Sequence, residues 1–132
     1  MGGKRERSAS RCRGAAAVEF ALVLPILLTL VLGIMEFGFI FYQQMSITNA
    51  AREGARAYAI HHADSGFSLT SVVETAATPV TGVSATSVPS GATCAAGTIA
   101  QVTVTKAATS LTGWFPFLNS MTLTGKGAMR CG

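Results

Sequence analysis

The stretch that decides the fold is AAAVEFALVLPILLTLVLGIMEFGFIFY, residues 15–42. From Phe20 to Tyr42 the sequence is almost uninterruptedly apolar, and as an α-helix it would be roughly 34 Å long. That length covers the ~30 Å hydrocarbon core of a bilayer, so we predict one membrane-spanning helix. Pro25 lies inside the span and leaves the carbonyl of Ala21 without its usual donor, so we expect a local kink.

The net positive charge of the chain comes from the residues that precede this helix. The protein has 132 residues, 49% of them hydrophobic, and a net charge of +4. Residues 1–14 hold five basic residues and one acidic residue, which accounts for the whole excess. A basic segment before a spanning helix stays in the cytoplasm and leaves the rest of the chain outside. The charge therefore indicates topology and no nucleic-acid binding, and we expect residues 1–14 to be disordered or to lie against anionic headgroups.

The helical pattern continues beyond the apolar run in YQQMSITNAAREGARAYAI, residues 42–60. We expect one helix from Ala15 to about Ile60, roughly 70 Å long, which the breakers in HHADSG then end. The apolar positions of its second part fall near one stripe, which comprises Met45, Ile47, Ala50, Ala51, Ala55 and Tyr58.

Residues 66–132 are rich in Thr, Ser, Val, Ala and Gly and predict a small β domain. FSLTSVVETAAT is expected to form a short helix behind a Ser or Thr cap. VTGVSATSV, TIAQVTVTKAA and SMTLTGKGAMR alternate apolar and small polar residues and predict strands, whereas Pro89 to Gly97 and TGWFPFLN predict loops. This segment has few large apolar side chains and can bury little apolar area by itself. We therefore expect its antiparallel sheet to pack on the apolar stripe of the helix. The predicted class is a membrane-anchored α+β protein, a long helix with a small sheet, like a lollipop.

The cysteines divide between the two sides of the membrane. Cys12 lies in the basic segment on the reducing side, whereas Cys94 and Cys131 lie in the exported part, where a disulfide persists. Pairing these two would stabilise the domain by roughly 4 kcal/mol in the chain-entropy model. Two free buried thiols are the alternative.

Glu19 is a carboxylate at the start of the apolar run with no obvious partner nearby. A tolerated interfacial carboxylate is one interpretation, because headgroup water is within reach. The other supposes a cut after Gly14, which leaves Ala15 with a free α-amino group of pKa about 7.7. That cation lies one helical turn from Glu19, and a carboxylate also favours the N-terminal end of a helix.

Gly14, Ala15, Glu19 and Phe20 together look like the class III signal of type IVb prepilins. The combination of GAAAVEFALVLP with AAREGARA makes residues 11–60 resemble the N-terminal domain of TadE-like proteins, the minor pilins or pseudopilins of the tight-adherence (Flp) pilus. The resemblance implies a pilin-like protein with a leader at 1–14, a membrane and assembly helix at 15–60 and an exported domain at 61–132. The long exported part argues for a minor subunit and against the major Flp pilin.

The resemblance also implies the processing and the partners. A prepilin peptidase would cut between Gly14 and Ala15 on the cytoplasmic face, and Glu19 would pair with the new amine of a neighbouring subunit. The partners would be other minor pilins, the major Flp pilin, and the inner-membrane platform and secretion ATPase of the Tad system. The chain would lie in the bacterial inner membrane, with its C-terminal domain in the periplasm or, after assembly, outside in the pilus.

Other charged residues of the helix have more than one interpretation. Glu36 lies roughly 25 Å beyond Glu19 and is either a solvated interfacial carboxylate or the partner of Arg52 or Arg56 in another subunit. Arg52, Glu53 and Arg56, beside alanines, are typical of a solvated face next to a tight helix contact.

The exported part offers little for chemistry. His61, His62 and Asp64 do not predict a metal site, because adjacent histidines point to different sides and no further ligand is spaced nearby. No nucleophile–base set or phosphate loop stands out, so we expect neither a cofactor nor an enzyme. Trp114, Phe115 and Phe117 either cover the small core or form an exposed patch for a partner or surface.

Two other functions stay open on the sequence. The first is an uncleaved single-pass anchor that displays a small binding domain in the periplasm or on the cell surface. The second, a secreted protein with a cleaved signal peptide, fits less well because the apolar stretch exceeds the 7–15 residues of such signals.

Overall fold

The computed structural model describes residues 6–88 and 94–132. Residues 1–5 of the expected leader and 89–93 of the expected loop lie outside this range. The order of elements is a long helix, a short helix and three strands, with a 3₁₀ turn before the last strand. They are α1 (Glu6–His61), α2 (Leu69–Ala77), β1 (Ser84–Val88), β2 (Ile99–Ala107), the 3₁₀ turn (Pro116–Ser120) and β3 (Thr122–Arg130). The predicted α+β class and all three strands are confirmed.

The long helix begins earlier than expected. It starts at Glu6 instead of Ala15, so residues 6–14 are helical and not disordered. Extending an existing helix adds one hydrogen bond for each residue fixed, and this segment has no proline to interrupt it. Its C-terminal end at His61 agrees with the predicted end near Ile60.

The chain divides into two compact units, Met1–Glu36 and Phe37–Gly132, which we call the N-terminal and C-terminal units. In the part described, the N-terminal unit consists of helix α1 alone, and the C-terminal unit contains the rest of α1, the short helix and the sheet. Gly14–His61 is long and apolar enough to cross a membrane, and its most apolar window has no buried residue. This helix is the candidate membrane span.

The sheet has the order β1-β2-β3 with both pairs antiparallel. Ser87 pairs with Val102, and Val102 pairs with Gly127 on the other side. Ahead of the sheet, Ser68 caps α2 by accepting a hydrogen bond from the backbone N–H of Ser71 at 3.3 Å, as the predicted cap requires.

The core of the C-terminal unit lies between α1 and the sheet. Alternate residues of the two long strands are buried on the helix side, and α2 adds Val73 and Ala77. The predicted helix stripe is correct except for Met45, which is 53% exposed because it points away from the sheet side of the helix. The helix residues in the core are Ile47, Ala50, Ala51, Ala55 and Tyr58.

Strand β3 lies directly on the backbone of α1. A Cβ atom on Gly125 would stand 2.6 Å from the carbonyl oxygen of Ile47, and one on Gly127 would collide still more closely with the carbonyl oxygen of Ala51. Only glycine allows a strand to approach a helix this closely. Gly54 of α1 also allows a close approach, because a Cβ atom there would stand 2.7 Å from Val73 Cγ2.

A disulfide joins Cys94 to Cys131, with the two Cα atoms 5.6 Å apart. The backbone N–H of Cys131 donates to Thr98 O at 2.8 Å, and that of Gly97 donates to Cys131 O at 3.1 Å. The bridge therefore ties the segment before β2 to the end of β3.

Candidate assembly site

The processing and pairing residues lie on an open face of α1. Gly14, Ala15, Glu19 and Phe20 are all exposed in the isolated chain, and a Cβ on Gly14 would meet no atom within 4 Å. Ala15 and Glu19 are four residues apart, so the helix places them on the same side, one turn from each other. Among the residues whose side chains the structure describes, none covers Ala15 or Glu19.

The helix following Glu19 presents an apolar surface on all sides. Apart from the half-buried Leu32, the large apolar side chains between Val18 and Met35 remain 36–70% exposed. Exposing apolar surface to water costs roughly 25 cal/mol per Å², so exposing this much of it is strongly unfavourable. Lipid tails or neighbouring helices must therefore cover it.

Pro25 is accommodated inside α1 without ending it. Four residues later, the hydroxyl of Thr29 donates to the carbonyl oxygen of Pro25 at 2.8 Å. A threonine hydroxyl can satisfy a carbonyl of the preceding turn in this way. The predicted kink at this position stays a prediction.

Glu36 does not have the environment that its solvated interpretation requires. Its side chain is only 1% exposed. Every fully buried side-chain nitrogen and oxygen among the described residues has a hydrogen-bond partner, and Glu36 makes an interaction within the chain. The interpretation as a solvated interfacial carboxylate is therefore wrong, because burial on this face of the helix excludes water.

Gln43 is a second buried polar residue on α1, which the sequence analysis missed. Its Nε2 donates to Thr109 O at 3.0 Å, while its Oε1 accepts from Thr109 Oγ1 at 2.9 Å and Thr109 N at 3.4 Å. These bonds fasten the chain just beyond β2 to the helix. Gln43 lies seven residues after Glu36 and four before Ile47, a spacing that could have placed it on the buried stripe.

The charged cluster later in α1 is solvent-facing. Arg52, Glu53 and Arg56 are exposed, next to the buried Ala51 and Ala55. Whether they contact another subunit stays a prediction.

The histidines at the end of the helix have local partners. His61 Nδ1 lies 2.7 Å from Asp64 Oδ2, and His62 Nδ1 lies 3.2 Å from Tyr58 O. Both contacts are those of a helix end, with each ring directed to a different group.

The arrangement that emerges is a helix with an exposed first half and a second half that carries a small domain. A search against protein-family models finds the same segment. Residues 14–56 match the family of TadE-like proteins. The resemblance stated for residues 11–60 is thereby confirmed. No curated protein and no solved structure matches the chain.

The TadE-like segment covers about a third of the chain and coincides with most of α1. It contains Gly14, Ala15, Glu19, the apolar run and the Arg52–Arg56 cluster. The match indicates a component associated with the Tad pilus, and the candidate span agrees with a membrane-anchored one. The short helix and the sheet lie beyond the matched residues.

One aromatic segment beyond the TadE-like match differs from its first interpretation. Trp114 is 68% and Phe117 62% exposed, so the interpretation of these two side chains as a lid over the core is wrong. Phe115 is half-buried, and Leu118 enters the core from this segment instead. Phe117 and Leu118 are neighbours within the 3₁₀ turn (Pro116–Ser120), so their side chains face different ways.

Proposed function

We propose that this chain is a minor pilin, or pseudopilin, of the Tad (Flp, type IVb) pilus. It is a structural subunit and not an enzyme, and it acts in the assembly, initiation or tip of a filament used for surface adhesion. A prepilin peptidase removes residues 1–14, and α1 holds the mature chain in the inner membrane with its C-terminal unit in the periplasm. The observation that carries the proposal is the exposed apolar first half of a TadE-like helix with Glu19 at its start.

The mechanism is lateral packing of helices plus an ion pair. A lone charge in the bilayer centre costs about 3 kcal/mol on insertion scales, so a carboxylate that enters a bundle needs a partner. The α-amino group of a mature Ala15 on a neighbouring subunit supplies one. Such a pair is formed only in one register, which is the best-attested use of buried ion pairs. The exposure of Glu19 in the isolated chain supports a partner from outside.

Processing requires the peptidase to reach the bond between Gly14 and Ala15, which lies inside α1. Glycine in a helix interior costs about 1 kcal/mol relative to alanine, so local unwinding is easiest at Gly14. The empty space around Gly14 also means that a larger side chain would not disturb the chain's own fold.

The terminus of the protein purified from its native membrane tests the proposal. We expect mass spectrometry and N-terminal sequencing to find a chain that begins at Ala15. Gly14→Leu should leave the full-length chain in the membrane uncut, whereas Gly33→Leu, equally unobstructed, should be processed normally. A chain that retains Met1 would contradict the proposal and favour the uncleaved single-pass anchor with a periplasmic binding domain.

The partners follow from this role. The peptidase acts once on the leader, and the platform and secretion ATPase then transfer the mature subunit from the bilayer to a filament with other minor pilins and the major Flp pilin. The apolar surface of α1 changes its neighbours from lipid to helices in this step, so neither state exposes it to water.

A further inference from the structure

The connection between β2 and β3, residues 108–121, exposes large apolar side chains that the core does not use. We call it the aromatic loop. Small domains rarely expose clustered apolar groups without a binding role. The exposed ones are Leu111, Trp114, Phe117 and Met121.

The loop is ordered by its own hydrogen bonds. Ala108 N donates to Met121 O at 2.8 Å and closes its base, and Ser110 N donates to Asn119 Oδ1 at 2.8 Å. Phe115 and Phe117 pack edge to face with ring centres 6.0 Å apart. The apolar side chains are thus presented on a built surface, with Leu118 as its anchor in the core.

The contacts between strand and helix show at which end of the sheet the loop lies. Gly125 lies over Ile47 and Gly127 over Ala51, so β3 and α1 run in the same direction. The start of β3 is therefore near the low-numbered end of the α1 segment in the C-terminal unit. Because Ala107 pairs with Thr122 at that start, β2 also ends there. The aromatic loop leaves the sheet at this end.

The Gln43–Thr109 hydrogen bonds also place the aromatic loop beside the low-numbered end of this α1 segment. Thr109 is the second residue of the aromatic loop, and Gln43 is the residue after Tyr42, where the apolar run of α1 ends. The loop is therefore fastened to the helix at the point where a membrane span would leave the bilayer.

The charge and the residue types of the aromatic loop agree with a position at the membrane surface. No charged residue occurs between Ala107 and Gly125 or between Phe37 and Ala51. Lys106, at the base of the loop, lines one cleft together with Phe39 and Tyr42. Trp and Tyr are enriched at membrane–water interfaces, and Lys near the end of a span reaches the headgroups.

We propose that the aromatic loop is a second membrane contact of this chain. Trp114, Phe117 and Leu111 insert at the boundary between headgroups and acyl chains of the leaflet from which α1 emerges, and Lys106 faces the lipid phosphates. The occupant is a phospholipid bilayer, because the loop is uncharged, aromatic and fastened to the end of the span. The proposal rests on α1 spanning the membrane and is independent of cleavage after Gly14 or of a pilus.

Trp114 is the only tryptophan of the protein, so its fluorescence reports on this loop alone. We would reconstitute the full chain at low density in vesicles of phosphatidylethanolamine and phosphatidylglycerol. We expect blue-shifted emission, strong quenching by lipids brominated near the headgroup end of the acyl chain, weaker quenching by lipids brominated near the methyl end, and little quenching by aqueous acrylamide.

A matched control moves the tryptophan from the aromatic loop to the opposite end of the sheet. In Trp114→Phe/Met129→Trp the probe replaces an exposed apolar residue near the end of β3. It should emit as a water-exposed indole, with quenching by acrylamide and none by brominated lipid.

Three results would overturn the proposal. Trp114 quenched by acrylamide and not by brominated lipid would place the loop in water. Protection from both quenchers would place it in a protein contact. A blue shift that disappears as the lipid-to-protein ratio rises would assign the loop to a second copy of this chain.

Discussion

Two glutamates on the same helix have opposite environments. Glu19 is exposed near the start of the apolar run, whereas Glu36 is buried and interacts within the chain. A local pattern does not distinguish an exposed carboxylate on a helix from a buried one, because burial depends on residues distant in sequence. Under the proposed function, Glu19 is the residue whose charge must be neutralised by another molecule.

Glu19→Ala should leave membrane insertion unchanged and strongly impair assembly. Loss of one partner from a buried pair costs about 3–5 kcal/mol, since the remaining amine is then buried alone. The measurement is membrane fractionation together with electron microscopy of pili and an adhesion assay.

Glu74→Ala is the matched control, because it removes an exposed glutamate that lies outside α1, on the short helix α2. Normal piliation and adhesion with Glu19→Ala would show that the carboxylate does not set the register.

At the scale of elements, the contact of β3 with α1 determines how the C-terminal unit is built. Two alternate glycines of the strand lie on helix carbonyls one turn apart. The strand pattern in TLTGKGAMR was recognisable, because Leu123 and the glycines alternate with exposed residues. That the glycines face the helix backbone was not, since glycine in a strand carries no side chain to mark a buried face.

Gly127→Ala should destabilise the C-terminal unit by about 1–3 kcal/mol, because the added methyl group must displace the backbone at Ala51. The corresponding fall in Tm is at least about 4 °C. Circular dichroism of the full chain in detergent measures it.

Lys126→Ala serves as the comparison, because Lys126 lies between the two glycines and is exposed. An unchanged Tm in Gly127→Ala would mean that the strand does not lie as close to α1 as described.

At the scale of the whole molecule, the chain combines a TadE-like helix with a small domain that depends on that helix for its core. Among the described residues, most of the core side chains that come from outside α1 are small, so the sheet by itself buries little. The disulfide between Cys94 and Cys131 compensates by closing a loop of 37 residues. Loop closure of this size stabilises the folded state by roughly 4 kcal/mol in the chain-entropy model.

Cys94→Ser should therefore make the C-terminal unit sensitive to protease under oxidising conditions, while α1 stays in the membrane. Limited proteolysis followed by mass spectrometry locates the new cuts. The unmodified chain treated with reductant should give the same fragments. If Cys94→Ser resisted protease as well as the oxidised unmodified chain does, the disulfide would not contribute to the stability of the C-terminal unit.

The sequence by itself determined the candidate span, the end of α1, the cap at Ser68, the three strands and the TadE-like segment. All of these depend on period, propensity or spacing within a few residues, which are local properties of the chain. The tertiary structure alone decided that Glu36 is buried, that Gln43 holds Thr109, that Trp114 and Phe117 face outward and that Gly127 meets Ala51. Burial and contact depend on which surfaces meet, and residues such as Gln43 and Thr109 meet across 66 positions of sequence that no local pattern connects.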